Sequence, residues 1–446
     1  MPDPRPRSAR RLCRGLVLAL AMLSAAPTLA RDHYVAPPGA ARGPGSGQLD
    51  SPWTSLWAAL NSAELRGGDR ILLLPGTYGR VALQAPGFVP PLRILPAEPG
   101  TVHMDALRID RGSGLTFTGL RLWPRAPGGL PPALVQTARG TARIRLEALE
   151  LRGSPDAPSA YLGWGLEDWT RNWAPNGVLL RGAESGLFDS RLTGTNFGLT
   201  LEGDGATALG NRIYGFSGDA IRVLGDGSRV EDNEIGNCIK INDNHDDGIQ
   251  SWANKPGKAQ RQPVRDLVLA RNTILEWTGA QDHPLRCVLQ GIGLFDGAFD
   301  GLRIENNIIS VSAYHGIAVY GGRGVRILNN TVVHARGTPG TTHPWILVQD
   351  RKDGAPARDV RIAGNVAAGL ISRMAQEPPR MTPRGNMILR QPIRLFPRLL
   401  EGDFRSVAPD NPLVDRADPL LAPPRDRFGT ARPKGHLPDL GAIEWQ

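Results

Sequence analysis

Ile304-Glu305-Asn306-Asn307-Ile308-Ile309-Ser310-Val311 and Ile327-Leu328-Asn329-Asn330-Thr331-Val332-Val333-His334 decide the fold of this chain. Each unit is a short apolar run, an Asn corner and a second apolar run. Related units are GLFDSRLTG at 186–194, ALGNRIYG at 208–215, VEDNEIGN at 230–237, LARNTILE at 269–276 and IAGNVAAG at 362–369. Asn211 and Asn233 are 22 positions apart and Asn307 and Asn330 are 23 apart, while the other gaps, 39, 35 and 35, hold one coil plus an inserted loop. A repeat of this length, made of short strands with no helical stretch, specifies a solenoid. The expected fold is all-β, a right-handed parallel β-helix over residues 31–375, with Asn side chains stacked at one corner.

A second register runs beside the first: Phe197-Gly198-Leu199, Asp219-Ala220-Ile221, Asp247-Gly248-Ile249, Gln290-Gly291-Ile292 and His315-Gly316-Ile317. If the Leu or Ile points inward, strand alternation turns the small residue before it and Thr200, Arg222, Gln250, Gly293 and Ala318 after it outward. That face would offer a floor of small residues; alternatively the glycines serve positive-φ turns. Tyr161 to Trp173 interrupts the repeats within an insertion at 155–175 and includes Trp164 and Trp169, which suit either a cover for the core or an aromatic platform for sugar rings. Residues 376–446 are rich in Pro and Arg up to about 436 and are expected to wrap along the solenoid as extended chain.

Arg5, Arg7, Arg10, Arg11 and Arg14, the apolar run Leu16 to Leu23 and small residues up to Ala30 form the pattern of a secretory signal peptide over residues 1–30. Export to the periplasm or medium is the expectation, with no membrane span. Loss of that segment removes five arginines and Asp3, taking the formal charge from +9 to about +5. This diffuse excess lacks basic runs with interleaved aromatics, which argues against nucleic acid and allows an acidic polysaccharide partner. The chain is expected to be monomeric. Cys238 and Cys287 would remain, either as a disulfide or as two buried thiols.

The stretch Tyr34-Val35, Pro52-Trp53-Thr54-Ser55-Leu56, Gly68-Asp69-Arg70-Ile71 and Pro75-Gly76-Thr77-Tyr78 resembles the start of secreted β-helix proteins of the pectate-lyase-like superfamily. The resemblance implies a short capping helix, here over Leu56 to Leu65. Asp439-Leu440-Gly441-Ala442-Ile443-Glu444 is similar to the closing segment of that group.

Chemistry concentrates in Asn242-Asp243-Asn244-His245-Asp246-Asp247-Gly248-Ile249-Gln250-Ser251-Trp252. Asp243, Asp246 and Asp247 supply hard oxygen ligands of the kind Ca²⁺ takes, and adjacent carboxylates are costly without a cation or a shared proton. The segment resembles the Asp-Asp-Gly-aromatic calcium loop of family-nine pectate lyases, with Ile249 in the aromatic's place. His245-Asp246-Asp247 is similar to the catalytic segment of mannuronan C5-epimerases, without its proline and with His and Asp in a different order. Both resemblances imply chemistry at C5 of a uronic acid: the carboxylate is neutralised, a base removes the C5 proton, and a lyase then expels the 4-linked sugar.

Candidate catalytic residues are Lys240, His245, Asp246, Asp247 and His315. Arg222, Arg286 and Arg323 are candidate carboxylate clamps, and Gln250, Trp252, Gln290 and Tyr320 candidate lining, with Trp164 and Trp169 on the loop. Tyr314-His315-Gly316 also resembles a segment of polygalacturonases. A polysaccharide lyase is therefore the leading expectation; a C5-epimerase, a glycoside hydrolase using paired Asp residues and a non-catalytic carbohydrate-binding β-helix are the alternatives.

Overall fold

The computed structural model describes residues 30–40, 43–253, 262–280, 282–337, 342–380, 385–405 and 410–445. The expected leader, apart from Ala30, lies outside them. The described chain winds into a parallel β-helix with three faces. The first face stacks Leu199–Leu201, Ile221–Val223, Asp247–Trp252, Gln290–Asp296, His315–Tyr320 and Trp345–Gln349 in parallel register. The second stacks Thr207–Leu209, Arg229–Glu231, Val268–Ala270, Arg303–Glu305 and Gly322–Leu328. The third is a sheet of twelve described strands from Gly76–Thr77 to Met387–Ile388. Inward Ile, Leu and Val from all three faces form one continuous core.

The corner between the second and third faces carries the Asn ladder. Asn272 Oδ1 accepts from the backbone N–H of Asn233 at 3.1 Å and from its side-chain amide at 2.9 Å. Asn307 treats Asn272 in the same way, at 2.9 and 3.0 Å, and Asn330, Asn365 and Asn386 continue the pattern. From Asn233 to Asn365 each buried amide satisfies a corner whose preceding residue sits in the left-handed region, as at Asn306 and Asn329 with φ of 55° and 51°, a conformation Asn tolerates better than most side chains. Asn386 and the strand Met387–Ile388 carry the solenoid past residue 375, so the expected boundary there moves outward.

The N-terminal end is capped by the helix Leu56–Leu60, shorter than expected. Ser55 Oγ accepts the N–H of Ala58 at 3.1 Å, while Leu56, Ala59 and Leu60 close the core. The C-terminal segment buries Phe396, Leu399, Phe404, Leu440 and Ile443 on Leu275, Ile308, Val333 and Val366 of the third face. The 155–175 insertion covers an earlier part of that face.

The register glycines are not a floor. A Cβ at Gly198 or Gly248 would stand 2.9 or 2.6 Å from the Cγ2 of Ile213 or Ile274 in the core. The alternation breaks at the corner, so small residue and following aliphatic both turn inward. Gly198, Gly248, Gly291 and Gly316 are needed for close packing, and none has the positive φ of the alternative expectation.

Candidate active site on the first face

The three faces differ in what they leave open. The third is covered by the chain's own insertion and tail. The second is zippered by ion pairs such as Arg145–Glu147 at 3.1 Å and Arg303–Glu305 at 2.9 Å. The first carries three rows instead, one polar, one mixed and one aromatic. Register places Asp219, Asp247, Gln290 and His315 in one column on successive coils, with Arg222, Gln250, Gly293 and Ala318 in the next row. Trp252, Phe295 and Tyr320 follow on the strands Asp247–Trp252, Gln290–Asp296 and His315–Tyr320.

At one end of the column lies an acid cluster. Asp219 Oδ1 accepts the backbone N–H of Asp247 at 3.0 Å, and its Oδ2 accepts Arg222 Nε at 2.6 Å. The Arg222 guanidinium lies 3.5 Å from the ring centroid of Phe197 and 5.7 Å from that of Trp252, so it is held flat between aromatic faces. Asp247 Oδ2 accepts the amide of Gln250 at 3.0 Å, whereas its Oδ1 has no partner and occupies the space that a side chain at Gly293 would fill. Its carboxyl thus lies on the outer face, although the register nominally aims residue 247 inward. Asp246 Oδ2 is 3.4 Å from Lys240 Nζ, which also donates to the Asn244 carbonyl, and Asp246 Oδ1 is unpartnered.

All three carboxyls are buried. Burial pushes Asp219 upward despite Arg222, and pushes Asp246 up to about 7 against the pull of Lys240. Asp247 is raised well above the ordinary carboxylate range by burial and by the two neighbouring acids. Burial and mutual repulsion thus favour protonation throughout the cluster, as expected of desolvated like charges.

At the other end, His315 Nδ1 is 2.8 Å from Gln290 Oε1, and Nε2 is 3.4 Å from the Tyr320 hydroxyl. An amide oxygen can only accept, so Nδ1 carries the hydrogen and Nε2 presents its lone pair. Phe295, Tyr314 and Trp345 pack their rings around the imidazole at 5.1, 4.2 and 6.0 Å. Burial in this aromatic nest, with positive charge from His245 and Arg373, lowers His315 to about 4. His315 is consequently a neutral imidazole at physiological pH.

Several expectations are corrected. Arg286 is no clamp: its side chain is 4% exposed, enclosed in the fold 2.7 Å from the fully buried Glu276, where substrate does not reach it. Trp164 and Trp169 are buried, at 7% and 2% exposure, with Tyr161, Ile239 and Trp277, so the loop covers the third face rather than offering a platform. Arg323 is exposed on Gly322–Leu328, off the three rows, and no described bond ties it to the site. His245 is exposed in the acidic turn. Asp243 is exposed as well and makes no described bond to Asp246 or Asp247.

Calcium was expected on Asp243, Asp246 and Asp247. Among the described residues, the donor group that converges within 4.8 Å is Cys238, Asp246 and Cys287, and the two sulfurs are joined in a disulfide at 2.06 Å. Asp246 and Asp219 already face Lys240 and Arg222, so the residues present do not assemble the expected calcium set. Sequence reasoning had named Phe197 only as a register position, and had not singled out Phe295 or Trp345. Phe197 and Phe295 keep the register of Asp219 and Tyr320, which was the available signal; Trp345 had none, because its coil lacks the Gly-Ile step.

Residues 170–332 match the family described as right handed beta helix region. The chain is a right-handed parallel β-helix. No curated protein matches it. Among solved structures it is similar to pectate lyase Pel9A at 15% identity and a TM-score of 0.46, covering 94% of this chain and 97% of that one. It is also similar to the A-module of the Azotobacter vinelandii mannuronan C-5 epimerase AlgE6, at 15% identity and 0.46, over 74% of this chain and 92% of that one. A GH136 lacto-N-biosidase from Eubacterium ramulus aligns at 13% identity and 0.43, over 77% and 68%. These likenesses are of fold. Among the described residues, no helix of the β-helix is long and apolar enough to cross a membrane.

Proposed function

We propose that this β-helix is an exported polysaccharide lyase that cleaves a uronic-acid-containing polymer by C5 proton abstraction and β-elimination. The observation that carries the reading is His315: a buried, neutral imidazole whose Nδ1 is fixed by Gln290 and whose Nε2 lone pair faces the Tyr320 hydroxyl at 3.4 Å. In this reading Nε2 takes the C5 proton. The electron pair released forms the C4–C5 double bond, the C4–O bond breaks, and Tyr320 delivers a proton to the leaving oxygen. The amide N–H₂ of Gln290 would be the donor to a substrate carboxylate along the column. Arg222 lies about three coil rises, ~14 Å, from His315 along the axis. It would therefore hold the carboxylate of a different sugar in the same chain.

One observation favours a second reading. Asp246, buried and raised to about 7, has the character of a general acid in a glycoside hydrolase. Nuclear magnetic resonance of uronate oligomers incubated with the protein in D₂O separates the possibilities. Elimination yields an olefinic H4 signal and epimerisation yields deuterium at C5; hydrolysis yields new reducing ends with neither, and either of the last two results overturns the lyase reading.

A further inference from the structure

Beyond His315 the first face continues into a cleft of about 620 Å³ whose lining includes Tyr314, His343, Trp345, Leu370, Ile388 and Arg390. Its volume lies within the range of small-molecule sites. Trp345 pairs with His315 in the next coil, and Gly369 pairs with Trp345 in the one after, so the cleft begins about one coil rise, ~5 Å, from the imidazole. The link is direct: the Tyr314 ring is 4.2 Å from that of His315 and 5.2 Å from that of Trp345. Tyr314 is 39% exposed, a large ring turned to solvent beside the proposed base.

The lining is amphipathic in the way a sugar ring is. Aromatic and aliphatic surfaces suit the C–H faces of a pyranose, and Arg390, exposed at the rim, suits a carboxylate through paired N–H donors. A neutral glycan would gain nothing from this guanidinium. We propose that this cleft is a uronate-binding subsite, occupied by the sugar next to the one processed at His315, with Tyr314 as its stacking face and Arg390 as its carboxylate partner. The inference rests on the saccharide reading of the first face and adds a place for a second sugar of the chain.

Calorimetric titration in the His315→Gln background, where substrate is not consumed, tests it with hexasaccharides of galacturonate and of mannuronate, and with cellohexaose as the neutral probe. The expected result is that Tyr314→Ala and Arg390→Gln each weaken binding of a uronate hexamer ~10-fold, with cellohexaose binding weak throughout. Indifference of hexamer binding to Tyr314→Ala or to Arg390→Gln in a protein with an unchanged circular dichroism spectrum, or no uronate binding, would each overturn the subsite. Uronate binding sensitive to both variants, in a protein whose wild type yields no unsaturated product, would instead overturn the elimination reading alone.

Discussion

His315 is usable as a base because burial keeps it neutral and Gln290 keeps its proton on Nδ1. The dependence of kcat/KM on pH should therefore show an acid limb near pH 4, where the imidazole protonates, rather than near the ordinary 6.5. An acid limb at 6 or above would mean that another group is the base. His315→Gln should lower kcat by roughly 10²–10⁴-fold. Gln290→Leu should lower kcat with the fold intact, because the imidazole loses the partner that sets its tautomer. Asp246 gives a prediction about stability. Its folded pKa, about 7, lies above the ordinary 3.8, so the folded state binds the proton more tightly. Stability contributed by the protonated group is lost as pH rises from about 4 to about 7. Thermal melts of Asp246→Asn and wild type should diverge across that window in favour of the variant, then run parallel above it; a constant difference would show that Asp246 ionises freely. The residue types at this site were legible in the sequence, since His, Asp and Gln interrupt an apolar repeat. Their protonation was not, because it depends on burial that no local pattern encodes.

Two elements hold the site in shape. Among the described residues the ladder makes every corner lean on the next, so Asn307→Ala would strand the backbone N–H of Asn272, leave its side-chain amide only the Val230 carbonyl, and vacate the bonds to Leu269 and Asn330. Each buried group left unpaired costs about 1–3 kcal/mol, and urea unfolding should show a loss of at least that size. The disulfide joins Cys238 to Cys287 across 49 residues, a loop that contains the whole acidic turn. Chain entropy alone assigns such a closure about 4 kcal/mol, and the Cys238→Ser/Cys287→Ser variant should unfold at correspondingly lower urea. The ladder was readable because Asn recurs at one corner at intervals of 22 and 23. Asn386 escaped because a single two-residue strand in a Pro- and Arg-rich stretch gives no periodicity. The glycine register was misjudged for a physical reason: alternation holds along a strand but fails at a corner, where Gly248 and Ile249 both turn inward. Amphipathic aromatics such as Trp164 and Trp169 fit a cover and a platform equally well, and only packing separates the two.

At the scale of the molecule, function follows from which face stays open. Tail and insertion cover the third face, and Arg–Glu pairs close the second. The first is left with an acid cluster, a neutral histidine and a cleft along one axis, a layout suited to an extended chain lying parallel to the solenoid. The modest positive charge of the sequence suits an acidic polymer without demanding a polyanion-binding groove. The most direct measurement is the ultraviolet absorbance of unsaturated uronide while wild type and His315→Gln are incubated in parallel with a panel of uronic-acid polymers, with calcium and with chelator. A rise with wild type on at least one polymer that is abolished by His315→Gln is the predicted result; no rise on any polymer, or a rise that survives His315→Gln, would contradict His315 as the base of an elimination.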